Sequence, residues 1–121
     1  MKNISKNLQM FNQVCKETNV IYHDYAAKNG ISDTAFWIMY SVYYYGEGIT
    51  QKNICEEWFY SAQTVNSSLK TMEKNGLIIL EPSNDNKKEK QIHFTKEGQL
   101  LAEKIIKPVI EAEKQSFEQL D

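Results

Sequence analysis

The stretch that decides the fold is Thr50–Gly76, TQKNICEEWFYSAQTVNSSLKTMEKNG. It reads as two short helices separated by a tight turn. Thr50 is a good N-cap, because its hydroxyl accepts from an amide that the first helical turn leaves unpaired. The helix it opens runs to about Trp58, with Ile54 and Cys55 facing inward. Ser61 caps a second helix that ends near Asn75-Gly76, residue types that tolerate a helix C-cap. Val65, Leu69 and Met72 fall at i, i+4 and i+7, so the second helix buries one stripe. Its outward face carries Gln63, Asn66, Ser67 and Lys70. A short helix, a turn and a second helix with a polar outer face make a helix-turn-helix.

The flanks extend this reading. Upstream, Ile4, Leu8, Phe11, Cys15, Thr18, Tyr22 and Tyr25 recur every three or four residues, one face of a long amphipathic helix ended by Asn29-Gly30. Ser32 or Asp33 caps a second helix whose Ala35, Phe36, Ile38, Met39, Val42 and Tyr43 are apolar nearly all round, which predicts a central, buried rod. Gly46-Glu47-Gly48 breaks it. Downstream, Leu77 to Glu81 is a short apolar strand, Pro82 to Lys90 is polar and turn-rich, and Gln91-Ile92-His93-Phe94 alternates as a returning strand. Thr95 caps a last helix with Glu97 in its first turn and Leu101, Ile105, Val109 and Phe117 on one stripe. Pro108 kinks or splits that helix. The chain is therefore mainly α (α+β): helix, helix, helix-turn-helix, hairpin, helix.

At 121 residues this is one domain, with 41% hydrophobic and 25% charged residues. No apolar run approaches the roughly 20 residues of a membrane span, and the first residues do not read as a signal peptide. Cys15 and Cys55 form no disulfide framework, which suits a reducing, cytoplasmic setting. The net charge is −2, mildly unfavourable to a nucleic-acid partner, but its distribution matters more. Residues 61–96 hold six lysines against four acids, whereas residues 97–121 hold three lysines against six acids. Every cation in the chain is lysine.

That local excess surrounds groups suited to duplex DNA. Gln and Asn can bond adenine N6 and N7 in a bidentate way, and Ser pairs with several bases. Ser61, Gln63, Thr64, Asn66, Ser67 and Lys70 are the candidate contacts of a recognition helix lying in the major groove. Lys87, Lys88 and Lys90 sit in the hairpin loop, where cations reach phosphates or an adjacent minor groove. A solvated helix face and an ordinary charged turn would look the same one at a time. The two in succession define a winged helix-turn-helix.

The runs Thr50 to Cys55, Gln63 to Ile78 and Phe94-Thr95-Lys96-Glu97-Gly98 together resemble the MarR family of bacterial regulators, most densely between Thr50 and Gly98. The resemblance implies a homodimer, its dimerisation region formed by residues 1–30 and 96–121 and its DNA-binding lobe by residues 31–95. It implies a transcriptional regulator, more often a repressor, that reads a pseudo-palindromic operator. Half-sites then lie about one turn, roughly 34 Å, apart. The family's wing holds an Asp-x-Arg pattern and then a Leu-Thr. Here those positions are Asn86, Lys88 and Phe94, and Lys is a more hydrated charge than Arg in a narrow groove. Members also carry a helix beyond the position of Phe117, so a chain ending at Asp121 is expected to form a smaller, differently arranged or weaker dimer.

Two further sites follow from the resemblance. Relatives bind small aromatic or phenolic effectors in a cleft, and Tyr22, His23, Tyr25, Trp37, Tyr40 and Tyr44 would supply rings and donors for such a ligand. A tyrosine-rich core rim is the plainer reading of the same residues. Some relatives sense oxidants through a cysteine on the first helix, the place of Cys15; a packed residue on the apolar stripe is the preferred reading there. Cys55 reads as core. His23 and His93 have no ligand-spaced companions, so neither metal nor cofactor is expected, and no catalytic constellation indicates an enzyme. The competing reading is a winged-helix module that binds protein rather than DNA.

Overall fold

A computed structural model describes the backbone of residues 2–46, 48–83 and 89–119, and within them every side chain except those of residues 2–5, 7, 11, 12, 15, 117 and 119. The elements are α1 (Lys2–Lys28), α2 (Asp33–Tyr45), α3 (Gln51–Trp58), α4 (Ala62–Lys74), β1 (Ile78–Pro82), β2 (Lys90–Phe94), α5 (Lys96–Ile105) and α6 (Lys107–Gln119). The mainly helical class with a small antiparallel hairpin is the one expected. The chain divides into two units, residues 1–33 and 34–121.

In the first unit α1 ends as its sequence requires. The Asn29 side chain donates to the Tyr25 carbonyl at 2.8 Å, and Gly30 follows at φ 76°, where glycine has no Cβ to crowd the backbone. The predicted apolar stripe is only part of what α1 displays. Leu8, Met10, Val14, Val20 and Ile21 are all exposed large hydrophobics. His23 Nδ1 lies 2.8 Å from Asp33 Oδ1.

The second unit holds the core. Ala35, Phe36, Ile38, Met39 and Val42 of α2 are buried, as expected, but Tyr43 is only half-buried and Tyr44 and Tyr45 are exposed, so α2 is not covered all round. Ile54, Val65, Leu69, Met72, Ile78, Ile92, Ala102, Ile105 and Ile106 complete it, all at 2% exposure or less. Cys55 departs from expectation: Ile54 takes the inward position on α3, and Cys55 beside it is only half-buried. Burial nevertheless pushes its thiol pKa up, and the neighbouring Glu56 carboxylate adds to the rise.

The last predicted helix is split rather than kinked. α5 stops at Ile105, and Pro108 stands at the second position of α6, where its missing N–H leaves no bond unmade. The start of α5 is locked from three sides. The Thr95 amide donates to the Leu77 carbonyl at 3.1 Å, its hydroxyl donates to the Gly76 carbonyl at 2.5 Å, and the Gly98 amide donates to that hydroxyl at 3.1 Å. A Cβ on Gly98 would overlap the Leu77 carbonyl oxygen, so only glycine lets α5 approach the Leu77 backbone, just ahead of β1, this closely.

Candidate nucleic-acid interface

α3 and α4 are built by their caps. Thr50 and Asn53 form a reciprocal capping box: the Asn53 amide donates to Thr50 Oγ1 at 3.1 Å and the Thr50 amide donates to Asn53 Oδ1 at 3.0 Å. Ser61 Oγ accepts from the Thr64 amide at 3.1 Å and donates to Thr64 Oγ1 at 2.9 Å. Gln51 Nε2 then donates to the Ala62 carbonyl at 3.1 Å, tying the first turn of α3 to the first turn of α4. α3 thereby braces α4, the mechanical role the sequence assigns to it.

On α4 the two faces separate cleanly. Val65, Leu69 and Met72 are buried. All six residues named for recognition, Ser61, Gln63, Thr64, Asn66, Ser67 and Lys70, are exposed. Gln63, Asn66, Ser67 and Lys70 fall at i, i+3, i+4 and i+7, one side of the rod. The Ser61 and Thr64 hydroxyls are already engaged in the cap, so these two order the helix start, while Gln63, Asn66 and Lys70 present their polar heads to solvent.

The hairpin pairs antiparallel in the register Ile78↔Phe94 through Pro82↔Lys90. β1 is displaced by one residue from the predicted strand and runs through Pro82, which a two-stranded edge tolerates because the ring removes only an outer donor. Lys90 therefore does not sit on the loop. It is the exposed first residue of β2, opposite Pro82. Lys87 and Lys88 lie outside the described residues.

A feature the sequence did not reveal anchors the hairpin. The Ile92 amide donates to the Ile49 carbonyl at 2.8 Å, the Gly48 amide donates to the Ile92 carbonyl at 3.2 Å, and Thr50 bridges Gln91. The residues just before α3 thus run as a third edge along β2. An isolated two-stranded hairpin is marginal, and this pairing fixes it to the start of the helix-turn-helix. Period-2 alternation, the local signal for a strand, is missing from Gly48-Ile49-Thr50.

The six residues proposed for an effector are divided between the units. Tyr22, His23 and Tyr25 belong to the first, where burial raises the Tyr25 pKa. Trp37, Tyr40 and Tyr44 belong to the second. There Trp37 stacks on Trp58 at 4.5 Å and Tyr40 on Tyr44 at 5.9 Å. The Tyr40 hydroxyl donates to Glu113 Oε1 at 2.7 Å, and Trp58 Nε1 donates to the buried Ser41 Oγ at 2.6 Å. Trp58 is the member that sequence reasoning missed, because it reaches the cluster from α3. Tyr40, Tyr44, Ile110, Glu113 and Lys114 line a cavity of about 130 Å³. A larger open groove of about 520 Å³ lies elsewhere, lined by Tyr45, Gly46, Gly48, Ile49, Asn53, Glu56 and Glu57, none of them among the six. The side chain of Cys15 is outside the description. Among the described residues no group of three or more His, Cys, Asp or Glu gathers as a metal site, and no helix is long and apolar enough to cross a membrane.

A braced helix with a buried stripe and a polar outer face, followed by a hairpin anchored to the segment that opens the bracing helix, defines a winged helix-turn-helix protein. Solved structures share this architecture across nearly the whole chain. S. aureus MepR in its DNA-binding conformation superposes with a TM-score of 0.81 at 21% identity, covering 95% of this chain and 85% of MepR. NMB1585, a MarR family regulator from Neisseria meningitidis, gives 0.77 at 21% identity, covering 100% of this chain and 82% of NMB1585. Overoxidized AbfR bound to DNA gives 0.62 at 20% identity, with 100% of both chains covered. No curated protein matches by sequence. The MarR family profile matches residues 29–89, and the chain belongs to that family.

Proposed function

We propose that this chain is a non-enzymatic, cytoplasmic transcriptional repressor that binds a pseudo-palindromic operator as a homodimer. The observation that carries the reading is the division of α4 into a buried stripe and an exposed face of Gln63, Asn66, Ser67 and Lys70. Amide side chains at that spacing suit adenine edges, and Lys70 suits guanine or a phosphate. The wing lysines Lys87, Lys88 and Lys90 supply sequence-independent attraction to phosphate. MepR is described in a DNA-binding conformation and AbfR as bound to DNA, which supports the same role here.

The homodimer is supported by α1. Five large apolar side chains on one helix stand exposed, and a second copy is the simplest cover for them. Two lobes so joined would present two α4 helices to successive major grooves, with residues 1–30 and 96–121 as the dimerisation region. A small aromatic or phenolic effector is part of the reading. Trp37 and Trp58 are the chain's two tryptophans and stack on each other, so intrinsic fluorescence reports the aromatic cluster directly.

The test is a mobility-shift titration of the full chain against the duplex upstream of its own operon. A discrete shift at low salt that weakens steeply as salt rises is expected. A folded protein that shifts no duplex at low salt favours a protein-binding module instead. Titration with 4-hydroxybenzoate should quench the tryptophan emission and change the operator affinity; no response up to millimolar ligand counts against the effector.

A further inference from the structure

Phe59 is the one non-glycine residue with a positive φ among those described, at φ 58° and ψ 31°, and it is 94% exposed. Both facts run against what stabilises a free chain. A Cβ crowds the backbone in the left-handed region, which is why glycine and asparagine usually occupy it. An aromatic ring left in water gains nothing from burial. The position is the C-cap of α3, two residues ahead of the Ser61 cap, on the turn that joins the bracing helix to the exposed α4. Strain retained at such a turn, with a large apolar side chain that the fold does not cover, points to a use outside the isolated molecule.

We propose that Phe59 contacts duplex DNA by packing its ring on a deoxyribose of the strand that α3 crosses. The inference rests on α4 being the recognition helix. In that geometry α4 occupies the groove, and the turn preceding its N-cap lies at the groove rim beside the backbone. A phenyl ring has no donor or acceptor for a base edge and no charge for a phosphate. The thymine methyl lies inside the groove that α4 fills, so at the rim the apolar face of the sugar is what remains for it. The contact therefore strengthens binding to every sequence alike and releases no counterions.

Two variants of the full chain test this, Phe59→Gly and Phe59→Ala. Melting temperature and fluorescence-anisotropy affinity are measured on the upstream duplex and on an unrelated one, between 50 and 200 mM salt. Phe59→Gly should melt a few degrees higher, because the strain is relieved. Both variants should bind both duplexes about tenfold more weakly with an unchanged salt slope, the loss expected from one partly buried ring. Unchanged affinity in either variant overturns the proposal, as does a loss confined to one sequence, an altered salt slope, or a lower melting temperature for Phe59→Gly. If the unmodified chain binds neither duplex, it is the assignment of α4 that fails.

Discussion

Replacing Gly98 by alanine is the sharpest test of how the wing is joined to α5. The new Cβ would overlap the Leu77 carbonyl oxygen and stand 2.9 Å from the Leu77 carbonyl carbon and 3.1 Å from Phe94 Cδ1. Two of these contacts are with backbone, so no rotamer change relieves them and α5 must move away from the Leu77 backbone. Overpacking of this kind costs about 1–3 kcal/mol. The movement also stretches the bonds from Thr95 to the Leu77 and Gly76 carbonyls, at about 1 kcal/mol each. Alanine recovers at most about 1 kcal/mol of helix propensity. The balance is a loss of about 2–4 kcal/mol, or roughly 8–16 °C in melting temperature for a domain of this size. Circular dichroism melts at matched protein concentration measure it, since a dimer's melting temperature depends on concentration. A Gly98→Ala protein that melts at or above the unmodified chain would refute the reasoning, for propensity would then outweigh packing.

Other substitutions probe separate parts of the account. Trp58→Phe removes the donor to buried Ser41 Oγ while keeping a ring against Trp37, and should cost about 1–2 kcal/mol by urea denaturation; a neutral result would show that this hydrogen bond is not formed in solution. Gln63→Ala should relax base preference at one operator position by about 1–3 kcal/mol, whereas Lys70→Ala, if it meets a phosphate, should weaken all sequences and reduce the salt slope by about one; identical effects from the two would contradict their assignments. The raised Cys55 pKa means that the folded chain holds that proton more tightly than the unfolded chain does. Its contribution to stability is present below the ordinary thiol pKa of about 8.5 and is lost as pH rises through the raised value. Peptide-mapped iodoacetamide labelling at pH 8 should find Cys55 slower than a free thiol, and an equal rate would remove the basis for that pH dependence.

Much of this was legible in the sequence because it is local chemistry. The caps at Thr50, Ser61 and Thr95 depend on a hydroxyl and an amide three residues on, and each forms as expected. The faces of α4 follow from period alone. What escaped is non-local. The pairing of Ile49 with Ile92 joins segments more than forty residues apart by backbone groups, which no side-chain pattern announces. Trp58 joins Trp37 and Ser41 only after α3 packs near α2. Cys55 looked like core because it neighbours Ile54, yet one residue along a helix turns a side chain by about 100°. Phe59 was invisible because its backbone conformation is one that a sequence reader assigns to glycine.

The central claim is that the exposed face of α4 reads duplex DNA in two symmetric copies. Selection of bound sites from a pool of random duplexes addresses it most directly. The account predicts an enriched inverted repeat with half-sites about ten base pairs apart, lost when Gln63, Asn66 and Lys70 are all replaced by alanine. Enrichment of no sequence, or of one that the triple variant binds equally well, would contradict it.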